Sequence, residues 1–216
     1  MTGVQTCALP ISGNNIFAAL RTLVINSLLE ICGSRFGRGL LRLGGVAFDV
    51  DYKLGERINN TLDYVLKNVI HMSNLLFDSP SVLSRLEQTG LVFLNEAELI
   101  GLVGPAARAS GMSIDVRVDH PFSVFNYYHI NSITLHDGYV FSRAYIRFLE
   151  IKESIAFVKN LLQIIPSEEK LLLPLNNIKT NSFIVSMVEG WRGEIVHVGI
   201  SDENGKIINY KIKDPS

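Results

Sequence analysis

The chain has 216 residues, 47% of them hydrophobic and 19% charged, with a formal net charge of -1. That length supports one sizeable core, and the near-zero charge excludes the strong electrostatic pull of a polyanion-binding protein, so no nucleic-acid partner is expected. The charged share is low beside the ~25% usual in soluble domains, so surface buried against other subunits is expected.

The first eleven residues, MTGVQTCALPI, stand apart. After the initiator they back-translate as ACT GGA GTT CAG ACG TGT GCT CTT CCG ATC, the sequence of a common sequencing-library adapter. Residues 1–11 are therefore treated as a non-native segment and set aside from fold reasoning. A signal peptide is the alternative, but there is no basic start and Pro10 interrupts the apolar run.

The first native element is a helix from about Asn15 to Ile31, with Ile16, Leu20, Leu23, Ser27 and Ile31 on one stripe and Gly33 as its stop. A second helix spans about Leu54 to Phe77. Its Ile58, Leu62, Val65, Val69, Met72 and Leu76 step by three and four, which gives a bundle seam, and Pro80 follows its end. A shorter helix runs from about Ser81 to Gln88, with Ser79 or Ser81 as its cap, and a brief helical turn covers Asn95 to Leu99.

Next comes the most informative stretch, GLVGPAARASGMSIDVR at 101–117, followed by Asp119, His120, Pro121 and Phe122. Its glycines and proline are too frequent for a helix or strand interior, yet it is too apolar for a solvated linker. Such a loop is expected to pack against something. Arg108 and Arg117 then need acceptors, and the plain expectation is a buried crossover in which one of them pairs with a carboxylate.

The longest helix is expected from about Tyr139 to Ile165, capped by Asp137 and stopped by Pro166. Phe141, Ala144, Phe148, Ile151, Ile155, Val158 and Leu162 form its apolar face; Arg143, Arg147 and Glu150 opposite read as a structural ion-pair ladder. The period then changes. Phe183 to Val188, Glu194 to Ile200 and Lys206 to Ile212 are strand-like, and Asp202-Glu-Asn-Gly205 signals a hairpin. The expected fold class is α+β, a mainly helical bundle with a small C-terminal antiparallel sheet.

Three blocks carry a resemblance: GLVGPAARASGMSIDVRVDHPF at 101–122, HDGYVFSRAYIRFLEIKES at 136–154 and EGWRGEIVH at 189–197. Together they resemble the large subunit of membrane-bound, energy-converting nickel-iron hydrogenases and, slightly less closely, the D subunit of respiratory complex I, the NADH-quinone oxidoreductase. Gly33-Ser-Arg-Phe-Gly37 and Leu43-Gly-Gly-Val46 with Asp49 resemble a fourth block, so the likeness runs from about residue 14 to the end. It implies that residues 12–216 are part of one such domain, truncated at both ends. The usual Gly-Asp before the long helix stands here as His136-Asp137-Gly138.

Glu189-Gly-Trp-Arg-Gly-Glu194 resembles the family's Glu-Ala-Pro-Arg-Gly motif. The likeness implies that Arg192 is the catalytic position, its guanidinium projecting over a reactive centre; Trp191 stands where proline is usual. It further implies a cofactor- or quinone-facing lining of Gly104, Arg108, Asp115, Arg117, His120 and Glu189. His120 is the histidine singled out as a proton relay, while His129, His136 and His197 show no paired ligand spacing. Nickel-iron centres are held by two thiolate pairs, and neither pair is present: Cys7 lies in the adapter-like segment and Cys32 is a lone, core-type residue at a helix end.

The implied function is thus part of a hydrogenase-type oxidoreductase, evolving or oxidising hydrogen and coupled through iron-sulfur partners to an ion-pumping membrane arm. A nickel-iron centre would belong to the full-length protein and no metal to these residues, so the isolated fragment is expected to be inactive. The alternatives are a complex I D-type protein with quinone and no nickel, or a hydrogenase-like scaffold without catalysis. A small iron-sulfur subunit and membrane-arm subunits are the implied partners, in a prokaryote-type complex, peripheral on the cytoplasmic side. No uninterrupted apolar run approaches the ~20 residues that span a bilayer, so no transmembrane segment is expected. The likeness carries NAD in its name, but the chain has no Gly-x-Gly-x-x-Gly and no phosphate loop.

Overall fold

The computed structural model describes residues 3–165, 172–174 and 177–216, with side chains from Gly13 onward. The fold is α+β, and two compact units make it up: residues 1–84 with 154–175, and residues 85–153 with 176–216.

The first unit is built on two long helices, α1 (Gly3–Cys32) and α2 (Tyr52–Phe77). Leu54, Ile58, Leu62, Val65, Val69 and Met72 of α2 are buried, so the three-four spacing does set the seam. Each such side chain contributes about 1.5–3 kcal/mol on leaving water. Asp51 starts the helix by accepting the Leu54 amide at 2.7 Å. A Cβ at Gly13 would lie 3.3 Å from Leu76 Cδ1, which marks how closely α1 and α2 approach. Arg57 to Glu30 (3.0 Å) ties the two helices across their exposed sides.

Helix α1 begins at Gly3 rather than near Asn15, because propagation adds a hydrogen bond per residue and only Pro10 lacks a donor. Its stripe is only partly covered: Leu20 is buried, whereas Ile16 and Leu23 are exposed. The span Gly13–Cys32 is long and apolar enough, by length and composition, to cross a membrane. Arg21 and Glu30 interrupt the apolar run within this span without making the whole stretch polar. Cys32, half-buried, donates its thiol to the Leu28 carbonyl at 3.2 Å instead of sitting in a core. A two-residue hairpin, β1 (Leu41–Arg42) with β2 (Gly45–Val46), and the short α3 (Pro80–Leu86) complete the described part of this unit.

The second unit carries α4 (Leu94–Leu99), α5 (Gly104–Ala109), α6 (Val116–Asp119), a 3-10 turn (Ser123–Asn126) and a meander of β3 (Phe183–Gly190), β4 (Gly193–Ser201) and β5 (Ile207–Lys213). The stretch at 101–117, expected to be irregular, thus holds two helical turns. Pro105 pre-sets the first turn of α5. The amides of Leu135 and Gly138 reach back to the carbonyls of Arg108 and Ala109, at 2.9 and 2.8 Å, and satisfy its C-terminal end. The hairpin signal at 202–205 holds: Gly205 has φ of 76° and the Asp202 amide donates to the Lys206 carbonyl.

Helix α7 (Val140–Leu162) crosses the boundary between the two units. It starts two residues later than Asp137 would need to be its cap; Asp137 instead accepts the Ser142 hydroxyl at 3.5 Å. Pro166, the expected stop, lies outside the described residues. Ser142 and Ile146 are fully covered; of the expected apolar face, Phe148 and Ile155 are buried, whereas Ile151 and Val158 are exposed. On its polar side, Arg143 donates to the Gly138 and Gly90 carbonyls, Arg147 to the Arg143 carbonyl, and Glu150 accepts from Arg108.

Candidate functional site

The glycine-punctuated stretch and the β3–β4 hairpin meet. Gly104 has φ of 65°, and a Cβ there would fall on the Arg192 carbonyl and the Gly193 Cα; reciprocally, a Cβ at Gly193 would lie 2.7 Å from Val103 Cγ2. Two glycines are thus needed for one backbone crossing. This close approach sets α5 against the start of β4.

Arg108, at the end of α5, is 1% exposed and sits at the centre of the crossing. Its Nη1 donates to the Ile114 carbonyl at 2.9 Å and to Glu189 Oε1 at 3.0 Å, with Asp115 Oδ2 at 3.7 Å. Its Nη2 donates to Glu150 on α7. Asp115, the N-cap of α6, accepts three times from Arg117: from the amide at 3.0 Å, Nε at 2.9 Å and Nη2 at 2.6 Å. Glu189 Oε2 accepts the Val116 amide at 3.3 Å. Three carboxylates and two guanidiniums therefore form one covered network, with α5, α6, α7 and β3 each contributing.

The charges feel that setting. Burial pushes the Asp115 carboxyl up, but the guanidiniums of Arg117 and Arg108 together outweigh it and hold it below the usual carboxylate range. Arg117 is correspondingly raised by its bond to Asp115. Glu189 goes the other way: burial raises it, with Asp115 adding to the rise, and Arg108 only partly offsets this.

Of the residues singled out from the sequence, Gly104, Arg108, Asp115, Arg117 and Glu189 come together. Arg192 joins them through its backbone only; its guanidinium is exposed and lies 5.8 Å from the Trp191 ring centroid. The ring is also faced by Arg147, at 5.5 Å. His120 is exposed, one residue beyond α6, and no described contact joins it to the network. Glu150, expected in a solvated or interhelical ion-pair ladder, makes an interhelical pair with Arg108. The signal for it in the sequence is stoichiometric: two arginines in an apolar stretch need more acceptors than Asp115 offers. A cavity of about 320 Å3 lined by Glu87, Gln88, Asp137, Tyr139, Phe141 and Ser142 shares no residue with the network.

The fold is one that a solved structure shares. It superimposes with a TM-score of 0.84 on a chain in the structure of the membrane-bound sulfane sulfur reductase, an archaeal respiratory membrane complex, at 23% identity over 92% of this chain and 56% of that one. Residues 11–182 match the family described as the respiratory-chain NADH dehydrogenase 49 Kd subunit, and the chain belongs to that family of oxidoreductase-complex subunits. Similar proteins include the NADH-quinone oxidoreductase D subunit of Deinococcus radiodurans, 29% identical over 86% of this chain and 53% of that protein. The D subunit of Clostridium beijerinckii is 28% identical over 91% and 53%, and a D subunit of Anaeromyxobacter sp. strain K is 30% identical over 89% and 52%. The chain spans about half the length of these relatives.

Proposed function

We propose that this chain is part of a D-type component of an NADH-quinone oxidoreductase complex, and that it supplies one wall of the chamber in which the quinone headgroup is reduced. The observation that carries this is the crossing of Gly104 with Arg192–Gly193: it fixes an exposed guanidinium on a rigid turn backed by the Arg108 network. A planar guanidinium held in place donates to a quinone carbonyl and favours the negative charge that builds on that oxygen during reduction. In this reading the partners are an iron-sulfur protein that delivers electrons and a membrane arm that receives the conformational change.

The motif at Glu189–Glu194 suggests nickel chemistry first, but the family match and the similar proteins favour the quinone-type reading over it. The donor set at the network does not fit a thiolate-held metal either, since it consists of carboxylates already engaged by guanidiniums.

The test uses the assembled complex with Arg192→Lys and Arg192→Ala. Electron transfer from NADH to a hydrophilic acceptor upstream of the quinone should be unchanged, while quinone-dependent turnover falls at least tenfold. Equal quinone KM and turnover in all three proteins would remove Arg192 from the chamber.

A further inference from the structure

The network around Arg108 does not balance. Among the described residues, the cations within ion-pair range of Asp115, Glu150 and Glu189 are Arg108 and Arg117, so full ionisation leaves one uncompensated negative charge beside a guanidinium that is 1% exposed. An unpaired charge at such a site is costly, and the usual resolution is that one group keeps a proton.

Geometry selects which one. Asp115 takes three donors from Arg117 and is the best-compensated carboxylate. The Glu150 side chain is 20% exposed, takes Arg108 Nη2 and has Arg117 Nη2 at 3.9 Å. Glu189 is 5% exposed and takes the Val116 amide at 3.3 Å and one guanidinium nitrogen, which it shares with the Ile114 carbonyl and Asp115. Across the hairpin, its register partner is another carboxylate, Glu194, whose own cation is Lys213 at 3.4 Å. The groups facing Glu189 are thus Arg108 from α5, Asp115 and Arg117 from the start of α6, Glu150 from α7 and Glu194 from β4. Asp119 is engaged with the Asp115 amide at 2.8 Å.

We propose that Glu189 is a proton-holding site that keeps this five-charge network neutral, and that loss or gain of its proton is transmitted to the Trp191–Arg192 turn two residues along the chain. The exchange is acid–base only: the carboxyl O–H bond breaks and the proton passes to solvent, leaving a carboxylate whose repulsion from Asp115 and Glu194 strains the end of β3. Burial also drives the Glu189 carboxyl upward, in the sense this requires. The inference stands apart from the quinone reading, because it concerns a charge count and not a substrate.

The chain carries its own reporter, since Trp191 is its one tryptophan. Tryptophan emission of the full chain is titrated in the wild type, Glu189→Gln and Glu150→Gln, alongside the infrared C=O stretch of protonated carboxyl groups at neutral pH. The expected result is an emission step above the ordinary carboxylate range and a protonated-carboxyl band at neutral pH in the wild type, both lost in Glu189→Gln, and both moved to lower pH without being abolished in Glu150→Gln, where two carboxylates face two guanidiniums. An absent band in the wild type, a step that survives Glu189→Gln, or a step and band left unmoved in Glu150→Gln overturns the proposal. Should Glu189→Gln not fold by circular dichroism, the band is followed in Asp115→Asn and Glu150→Gln: a shift to lower pH without abolition in both supports Glu189, and an unmoved band in either overturns it.

Discussion

Arg108→Met is the sharpest perturbation of the second unit, because methionine keeps most of the side-chain volume and removes only the charge and its donors. The native guanidinium serves Ile114, Glu189 and Glu150 directly and has Asp115 within ion-pair range. Breaking a buried pair by removing one partner costs about 3–5 kcal/mol, mostly from the charge left behind. Of the two carboxyl groups left, at 5% and 20% side-chain exposure, Glu189 holds its proton, so a single charge is orphaned and the lower half of that range is expected at neutral pH. The loss should shrink as pH falls below the carboxylate range and the orphan protonates. Urea unfolding followed by Trp191 emission reports this unit by itself, which matters because a chain of two units need not unfold in one step. Adding Glu189→Gln and Glu150→Gln to Arg108→Met should recover about 1–3 kcal/mol through coupling of neighbouring sites. A cost below about 1 kcal/mol for Arg108→Met, or no recovery in the triple variant, would refute the view that the network is held by ion pairing.

Gly104→Ala forces a Cβ onto the Arg192 carbonyl at a left-handed backbone position, and a loss of about 1–3 kcal/mol with a displaced Trp191 emission is expected; unchanged emission would mean that the crossing is loose. Asp115 and Glu189 should give opposite pH limbs. Asp115, held low in the fold, contributes stability that is present above its unfolded value of about 3.9 and is lost as pH falls through the folded one, so Asp115→Asn should flatten the acid side. Glu189, held high, contributes below its unfolded value of about 4.3 and loses that contribution as pH rises through the folded one, so Glu189→Gln should flatten the stretch above it; parallel curves for wild type and both variants would contradict these signs. Phe183, Ile184, Tyr210 and Ile212 stand exposed on the meander, and the isolated chain is expected to self-associate, with Ile184→Lys and Ile212→Lys reducing it; a monodisperse wild-type monomer by light scattering would contradict this.

What can be read from the residues divides by the range of the forces involved. Helix α2 is legible because its period, its Asp51 start and the Pro80 that follows are all local signals, and all three act on the same segment. The β4–β5 hairpin is legible for the same reason, through Gly205 and Asp202. Helices α5 and α6 are not, since six and four residues cannot sustain a helix by propensity. Residues 135 and 138 finish the first and the Asp115 side chain starts the second. The covered face of α7 is hidden from the sequence because an Arg143, Arg147, Glu150 stripe looks the same whether it meets water or a buried arginine 42 positions earlier in the chain. Arg192 shows the limit most clearly. Motif likeness places it at the crossing, and its backbone is there, but the residue before it decides where the guanidinium lies: Trp191 offers an aromatic face, and the cation rests over that ring instead of turning into the network. Replacing Trp191 with proline, the residue usual at that position of the motif, removes the face and the hold it has on both Arg192 and Arg147. Arg192 should then reorient, with a change in quinone KM in the assembled complex that leaves electron transfer to a hydrophilic acceptor untouched; an unaltered KM would show that the ring does not set the guanidinium's pose.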